Sequence, residues 1–182
     1  MRFATDKVTH GYLPAYLRIA AELGPAARVC EVGVQDGHGL DLFQALFPAG
    51  TVAVVDVNPG CRWPEGCIEI HARQDDPGLF VLLGNYSLAW DLVVDDASHD
   101  GKLTAATFGL LWPLVAPGGF YVVEDWMVAL GWPGYDDSML TAVAGLLPLL
   151  RRDGDVEEIT YRYGLAVLRK RRAGHMKTTM LT

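Results

Sequence analysis

The sequence predicts an α/β fold: a Rossmann-like three-layer sandwich with a mostly parallel sheet and a C-terminal antiparallel hairpin. Three observations carry that expectation. Short β-branched apolar runs alternate with segments of helical periodicity, the pattern of a parallel sheet covered on both faces. Two of the apolar runs, WDLVVDDASH (90–99) and GGFYVVEDW (118–126), stop abruptly at carboxylates. The segment EEITYRYGLAVLRK (157–170) instead alternates apolar and polar residues around Tyr163-Gly164, as a hairpin does.

The elements follow in chain order. Residues 12–23 place Leu13, Tyr16, Leu17 and Ala20 at helical spacing and end at the stop signal Gly24-Pro25. Residues 28–34 read as a short buried strand, and 40–47 as a helix closed by Pro48 and Gly50. A β-branched strand over 51–57 ends at Asp56 and the turn Asn58-Pro59-Gly60. A weaker strand at 68–72, a helix at 77–86 and a strand at 92–95 come next. Then follow a helix at 102–115, a strand at 120–123 and a helix at 138–150 that tolerates Pro148. The hairpin should add one antiparallel strand at or near a sheet edge.

The chain of 182 residues fits one domain, 1–182, with an N-terminal helix and lid segment at 1–25 and a tail at 171–182. The composition, 51% hydrophobic and 20% charged, is that of a globular protein, and the net charge of −7 argues against nucleic acid as the partner. No apolar run reads as a signal peptide or membrane span. Three cysteines cannot all pair within one chain, which suits a reducing cytoplasm. Cys61 and Cys67 resemble half a zinc site without its second pair, so they read as ordinary thiols.

In a parallel sheet every strand delivers its C-terminal end to one rim, where ligands bind. Asp95, Asp96, His99, Glu124 and Asp125 should therefore crowd one mouth. Carboxylates collected without a nearby Lys or Arg need a cation or protons, and hard oxygen ligands suit Mg²⁺, Ca²⁺ or Mn²⁺. The first strand carries the other signal. VCEVGVQDGHG sets Glu31, Gly33, Gly37 and Gly39 between strand and helix, where glycine lets the backbone pass close to a ligand. The G-x-G-x-x-G spacing of a pyrophosphate site is absent, so the loop fits a cofactor without phosphates. Asp56 at the end of the second strand suits both hydroxyls of a ribose, and Asp75 in ARQDD is placed to meet an adenine amino group. The plainer alternative is that the glycines make a turn and Asp56 caps the next element.

The series EVGVQDGHG, Asp56, Gln74-Asp75, DDASH and GGFYVVED resembles class I S-adenosylmethionine-dependent methyltransferases. More narrowly, with TDKVTHGY (5–12), it resembles the metal-dependent O-methyltransferases of antibiotic biosynthesis, the macrocin and mycinamicin type. The resemblance spans residues 5–170. It implies S-adenosylmethionine as cofactor, with Gly33 and Gly37 along its methionine part and Asp56 on its ribose. It also implies Mg²⁺ (or Mn²⁺) on Asp96, Glu124 and Asp125, and His99 as general base. Asp95 is either a ligand or faces the other way, holding the cofactor or a backbone turn. TDKVTHGY is either a helix cap, through Asp6 or Thr9, or a segment folded over the site.

In the loop WMVALGWPGYDD, Trp126, Trp132 and Tyr135 read as a substrate lid, with core or dimer packing the plainer role for at least one tryptophan. The subgroup commonly carries longer N-terminal extensions, so either the substrate is small or a second subunit completes the pocket. The basic RKRRAGHMKTTMLT (169–182) reads as a frayed tail. The leading functional expectation is methyl transfer to a hydroxyl of a small natural product, a sugar diol or a catechol. A metal-independent methyltransferase and a non-catalytic cofactor-binding protein acting in a complex are the alternatives.

Overall fold

The computed structural model describes residues 3–173. Seven strands form one sheet in the order β3-β2-β1-β4-β5-β7-β6. They are β1 (Arg28–Val32), β2 (Thr51–Asp56), β3 (Ile68–His71), β4 (Trp90–Asp95), β5 (Val115–Glu124), β6 (Val156–Tyr161) and β7 (Leu165–Lys170). β1 to β5 run parallel, β7 lies antiparallel to β5, and β6 pairs antiparallel with β7 at the edge. The expected architecture is thus the observed one, and β7 is the single strand running against its neighbours.

Among the described residues six α-helices flank the sheet: α1 (Asp6–Thr9), α2 (Leu13–Leu23), α3 (His38–Leu46), α4 (Leu79–Gly84), α5 (Gly101–Leu111) and α6 (Ser138–Ala144). Three expected helices are shorter, the segment 77–86 narrowing to Leu79–Gly84. The segment 102–115 ends at Leu111 because Pro113 tightens the chain into a 3₁₀ turn (Trp112–Leu114), from which β5 starts. The segment 138–150 breaks after Ala144, and Pro148 sits in a 3₁₀ turn of its own (Leu147–Leu149). The short helix α1 lies inside TDKVTHGY; its cap is Thr5, whose Oγ1 accepts from the Lys7 backbone N–H. Residues 174–182, which hold most of the expected tail, lie outside the described residues. Among the described residues, no helix is long and apolar enough to cross a membrane.

Strand alternation divides the core into two apolar layers. Cys30, Val32, Val93, Tyr121 and Val123 face α4, α5 and α6. Val29, Val54, Leu92, Val94 and Val122 face α2 and α3, where Tyr16, Ile19, Leu40 and Phe43 close the layer. β1, β4 and β5 stay in register up to the rim, with Glu31 opposite Val94 and Val94 opposite Val122. Side chains two residues apart share a face. Glu31, Asp96 and Glu124 therefore point to the α2–α3 side, whereas Asp95, in phase with Val93, points to the other.

The loops after β1 and β4 touch. Asp96 donates its N–H to the Val32 carbonyl at 2.9 Å, and Gly33 has φ +92°. A Cβ on Gly33 would lie 2.1 Å from the Asp96 carbonyl oxygen. Glycine here sets the distance between two rim loops, beyond any role toward a ligand. Gly33→Ala should therefore lower unfolding free energy by about 3 kcal/mol, summing overpacking and backbone strain. Chemical denaturation checks this; a loss below about 1 kcal/mol would contradict the close approach.

Candidate active site

A cavity of about 480 Å³ opens along the C-terminal rim. One end is bounded by Gly33, Asp56 and Asp75, and the other by Asp96, His99 and Asp125. Both Asp56 oxygens accept backbone N–H groups, from Val34 at 2.8 Å and Asn58 at 2.7 Å. The carboxylate thus serves as a local cap and still keeps lone pairs for a hydroxyl donor. Asp75 lines the cavity while Arg73 grips it in a two-pronged ion pair, 2.9 and 3.1 Å. Glu31 also lines the cavity, and its Oε2 is buried without a hydrogen-bond partner. Gly37 caps α3 with a left-handed backbone and stands outside the cavity lining, whereas Gly39 is part of it.

At the other end, Asp96, His99 and Asp125 each offer a ligand atom, all within 4.8 Å of one another. Among the described residues this is the one His/Cys/Asp/Glu cluster of that kind. His99 Nε2 lies 3.9 Å from Asp125 Oδ2, and Tyr135 meets the imidazole edge-on. His99 is in the loop before α5 and not on a helical turn: Asp100 is the cap, accepting from Lys102 and Leu103 N–H. Both His99 and Asp125 have φ +53°, a costly conformation for residues other than glycine. Gln74, 9% exposed, ties this loop to the β3 end: its Oε1 accepts the Ser98 N–H and its Nε2 donates to Thr107.

The five expected rim groups do not form one cluster. Asp95 is 2% exposed and directed away from the cavity, with the Tyr121 hydroxyl 3.4 Å from Oδ2. It holds no part of the cavity wall, so the second of its two expected orientations is the observed one, toward the core. Glu124, also 2% exposed, accepts from the Tyr16 hydroxyl and lies 3.0 Å from the Lys7 ammonium. The premise that no Lys or Arg stands near these carboxylates is wrong. Lys7, 1% exposed, reaches across from α1 to Glu31 at 3.0 Å, Asp96 at 2.7 Å and Glu124 at 3.0 Å. TDKVTHGY therefore folds over the site; the cap within it is Thr5 on α1, not the expected Asp6 or Thr9, whose hydroxyl donates to the Asp6 carbonyl. Tyr12 donates to Asp125 Oδ1, and His10 Nδ1 stands 3.7 Å from the same oxygen. Lys7, Tyr12 and Tyr16 are the residues that sequence reasoning missed as site groups. The polar tips of the two tyrosines, in a segment otherwise read as cap and apolar face, were the available signal.

Burial and charge compete here. Burial alone would lower the Lys7 pKa, but Glu124, Glu31 and Asp96 outweigh it and hold the ammonium well above its usual range. One ammonium does not neutralise three carboxylates. Burial pushes Glu31 up to about 7 despite Lys7, and burial together with Asp96 raises Glu124 well above the carboxylate range.

The three loop aromatics separate. Tyr135 lines the cavity. Trp132 is exposed and packs edge-on against His10. Trp126 turns to the hairpin, donating to the Arg162 carbonyl and meeting Tyr161 edge-on. The packing role foreseen for one tryptophan falls to Trp126.

No family model matches the chain. Curated relatives do. It is 32% identical to 8-demethyl-8-(2-methoxy-alpha-L-rhamnosyl)-tetracenomycin-C 3'-O-methyltransferase of Streptomyces olivaceus, over 87% of this chain and 45% of that protein. It is 31% identical to demethylmacrocin O-methyltransferase of Streptomyces fradiae, over 74% of this chain and 36% of that protein. The chain thus spans less than half the length of the curated relatives it matches. Among solved structures, MycE methyltransferase from the mycinamycin biosynthetic pathway, in complex with Mg and SAH, superposes with TM-scores of 0.79 and 0.75 in two crystal forms. The identities are 24% and 25%, over 93% and 87% of this chain and 52% and 48% of that one. The resemblance to macrocin- and mycinamicin-type O-methyltransferases read from the motifs is borne out, as is the Rossmann-like methyltransferase fold.

Asp95 yields a test of its placement. Burial, then Asp96, raises its carboxyl to about 8, against roughly 3.9 in the unfolded chain. The folded state keeps a proton that the unfolded chain releases. This contribution to stability is complete below about pH 4 and lost as pH rises through about 8. Asp95→Asn should flatten the fall in melting temperature over that range and be the more stable form above it. Parallel pH profiles for both proteins would contradict the buried, core-facing placement.

Proposed function

We propose that this chain is an S-adenosylmethionine-dependent O-methyltransferase domain acting on a hydroxyl of a small natural product. The observation that carries this is the single cavity joining Gly33, Asp56 and Asp75 to Asp96, His99 and Asp125. A cofactor laid along the first set would aim its reactive end at the second. The named relatives are O-methyltransferases of a rhamnosyl-tetracenomycin and of demethylmacrocin, which supports a glycoside or polyketide-like acceptor for this chain.

The residues fit a hard divalent cation. Two carboxylates, Asp96 and Asp125, offer oxygens within 4.8 Å of each other at an open cavity end, and Mg²⁺ typically takes one or two carboxylates plus waters or substrate. Asp96 and Asp125 would hold it, with Glu124 behind them as third carboxylate. When bound, such an ion supplies Lewis-acid stabilisation of negative charge on the acceptor oxygen. S-adenosylmethionine supplies an electrophilic methyl group.

The chain's own groups do the rest. His99, which lines the cavity with Nε2 3.9 Å from Asp125 Oδ2, takes the hydroxyl proton. Asp56, fixed by two backbone N–H groups, is a rigid acceptor for ribose hydroxyls. Gln74 holds the loop that carries His99. Tyr135, beside His99, borders the acceptor end. Trp132, flanking His10, extends an aromatic rim for the acceptor outside the cavity. Methyl transfer is an in-line displacement, so this positioning carries much of the rate.

A metal-independent transfer is the second reading, and Lys7 favours it: an ammonium already stands among the carboxylates. Chelation decides between the two. Mass-spectrometric assay against vicinal-diol glycosides and catechols should show gain of one methyl group, lost with EDTA and restored by Mg²⁺ or Mn²⁺. Activity that survives exhaustive chelation selects the metal-independent reading. S-adenosylhomocysteine should raise the melting temperature while NAD does not, and Asp56→Ala should diminish that rise. His99→Ala should lower kcat by about 10²–10⁴-fold with S-adenosylhomocysteine affinity unchanged; near-normal kcat on an aliphatic hydroxyl would remove His99 from the role of base.

A further inference from the structure

Lys7 has the environment of a bound cation and not of a surface lysine. Its ammonium sits 2.7–3.0 Å from one oxygen each of Glu31, Asp96 and Glu124, contributed by three adjacent parallel strands or the loops that follow them. Its stem is buried beside Phe43, whose ring centroid lies 5.9 Å from the ammonium. The space is kept for it: a Cβ on Gly39 would come within 2.9 Å of both Lys7 Cε and Glu31 Oε1. The helix that carries it is four residues long and is anchored to the rim by Lys7 itself and by Tyr12 just after it.

Asp96 belongs to two arrangements. Through Oδ2 it holds Lys7, and it also offers a ligand atom to the group with His99 and Asp125. A unit positive charge hydrogen-bonded to a ligand carboxylate repels any divalent cation brought to that carboxylate. It also gives the inner glutamates their cationic partner, one oxygen of each.

We infer that Lys7 is the resident cation of this site: it holds Glu31, Asp96 and Glu124 together without a metal and, by its charge, keeps divalent-ion affinity weak. The second half rests on the metal reading proposed above; the first does not. Lys7 is thus a positioning residue that makes the N-terminal segment part of the site and leaves the divalent ion exchangeable.

Two measurements test this on the whole chain. The first is a metal-free stability cycle of wild type, Lys7→Met, Glu31→Gln and the double variant. Lys7→Met should lower the melting temperature by roughly 10 °C, since it strands buried carboxylates. Adding Glu31→Gln to it should recover part of that loss, although Glu31→Gln alone is destabilising. Additive effects would overturn the resident-cation role. The second is Mn²⁺ affinity by calorimetry or electron paramagnetic resonance. Lys7→Met should bind Mn²⁺ at least about tenfold more tightly than wild type. Where Lys7→Met does not fold, the double variant carries this measurement against Glu31→Gln. Equal or weaker affinity in a folded variant would overturn the competition. A coupled cycle with no Mn²⁺ binding to any variant would instead defeat the metal reading alone and leave Lys7 as the cluster's only cation.

Discussion

The rim of this sheet is governed by one electrostatic constraint: three carboxylates share a nearly dry space with a single ammonium. Strand register creates the constraint, because Glu31, Asp96 and Glu124 fall in phase on the α2–α3 face of adjacent parallel strands. Lys7 answers it from the same α2–α3 side, beside Phe43, at distances of 2.7–3.0 Å. Much of the N-terminal architecture follows. Thr5 caps α1, so Lys7 is directed inward; Tyr12 and Tyr16 then donate to Asp125 and Glu124 from the start of α2. Residues 5–16 act as a clasp that sends Lys7, Tyr12 and Tyr16 to the site.

The same register explains why the two halves of the Asp95-Asp96 pair do different work. Asp96 meets Lys7 and the cavity; Asp95 enters the opposite core layer beneath Tyr121. A buried carboxylate raised to about 8 suits a protonated core group better than a ligand. The cost of this design appears in the backbone. His99 and Asp125 both adopt left-handed conformations where the rim loops leave the sheet, and Gly33 is needed where two of those loops meet.

The fold was legible in the sequence because its signals are local. β-branched runs, Pro and Gly stops and the alternation around Tyr163-Gly164 marked the succession of strands and helices along the chain and the antiparallel hairpin. Asp56, Asp75, Asp96, His99 and Asp125 were legible as strand-end residues, since a parallel sheet sends them all to one rim. Lys7 was not, because its partners lie 24, 89 and 117 residues away and nothing local records the pairing. Strict alternation from Val93 and Val94 would have separated Asp95 from Asp96 without any structure. Trp126 and Trp132 illustrate the opposite limit: in a loop without periodicity, neighbouring aromatics offer no sign of which faces the hairpin and which the His10 ring.

The central claim is that one cavity holds a methyl donor at the β1–β3 ends and a divalent ion at Asp96 and Asp125. It is tested most directly by a crystal structure of the protein with Mn²⁺ and S-adenosylhomocysteine, using anomalous scattering to locate the metal. The account predicts one Mn²⁺ peak in contact with Asp96 and Asp125, and the nucleoside hydroxyls on Asp56. An anomalous map without a peak at those carboxylates, or a nucleoside seated away from Asp56, would contradict it.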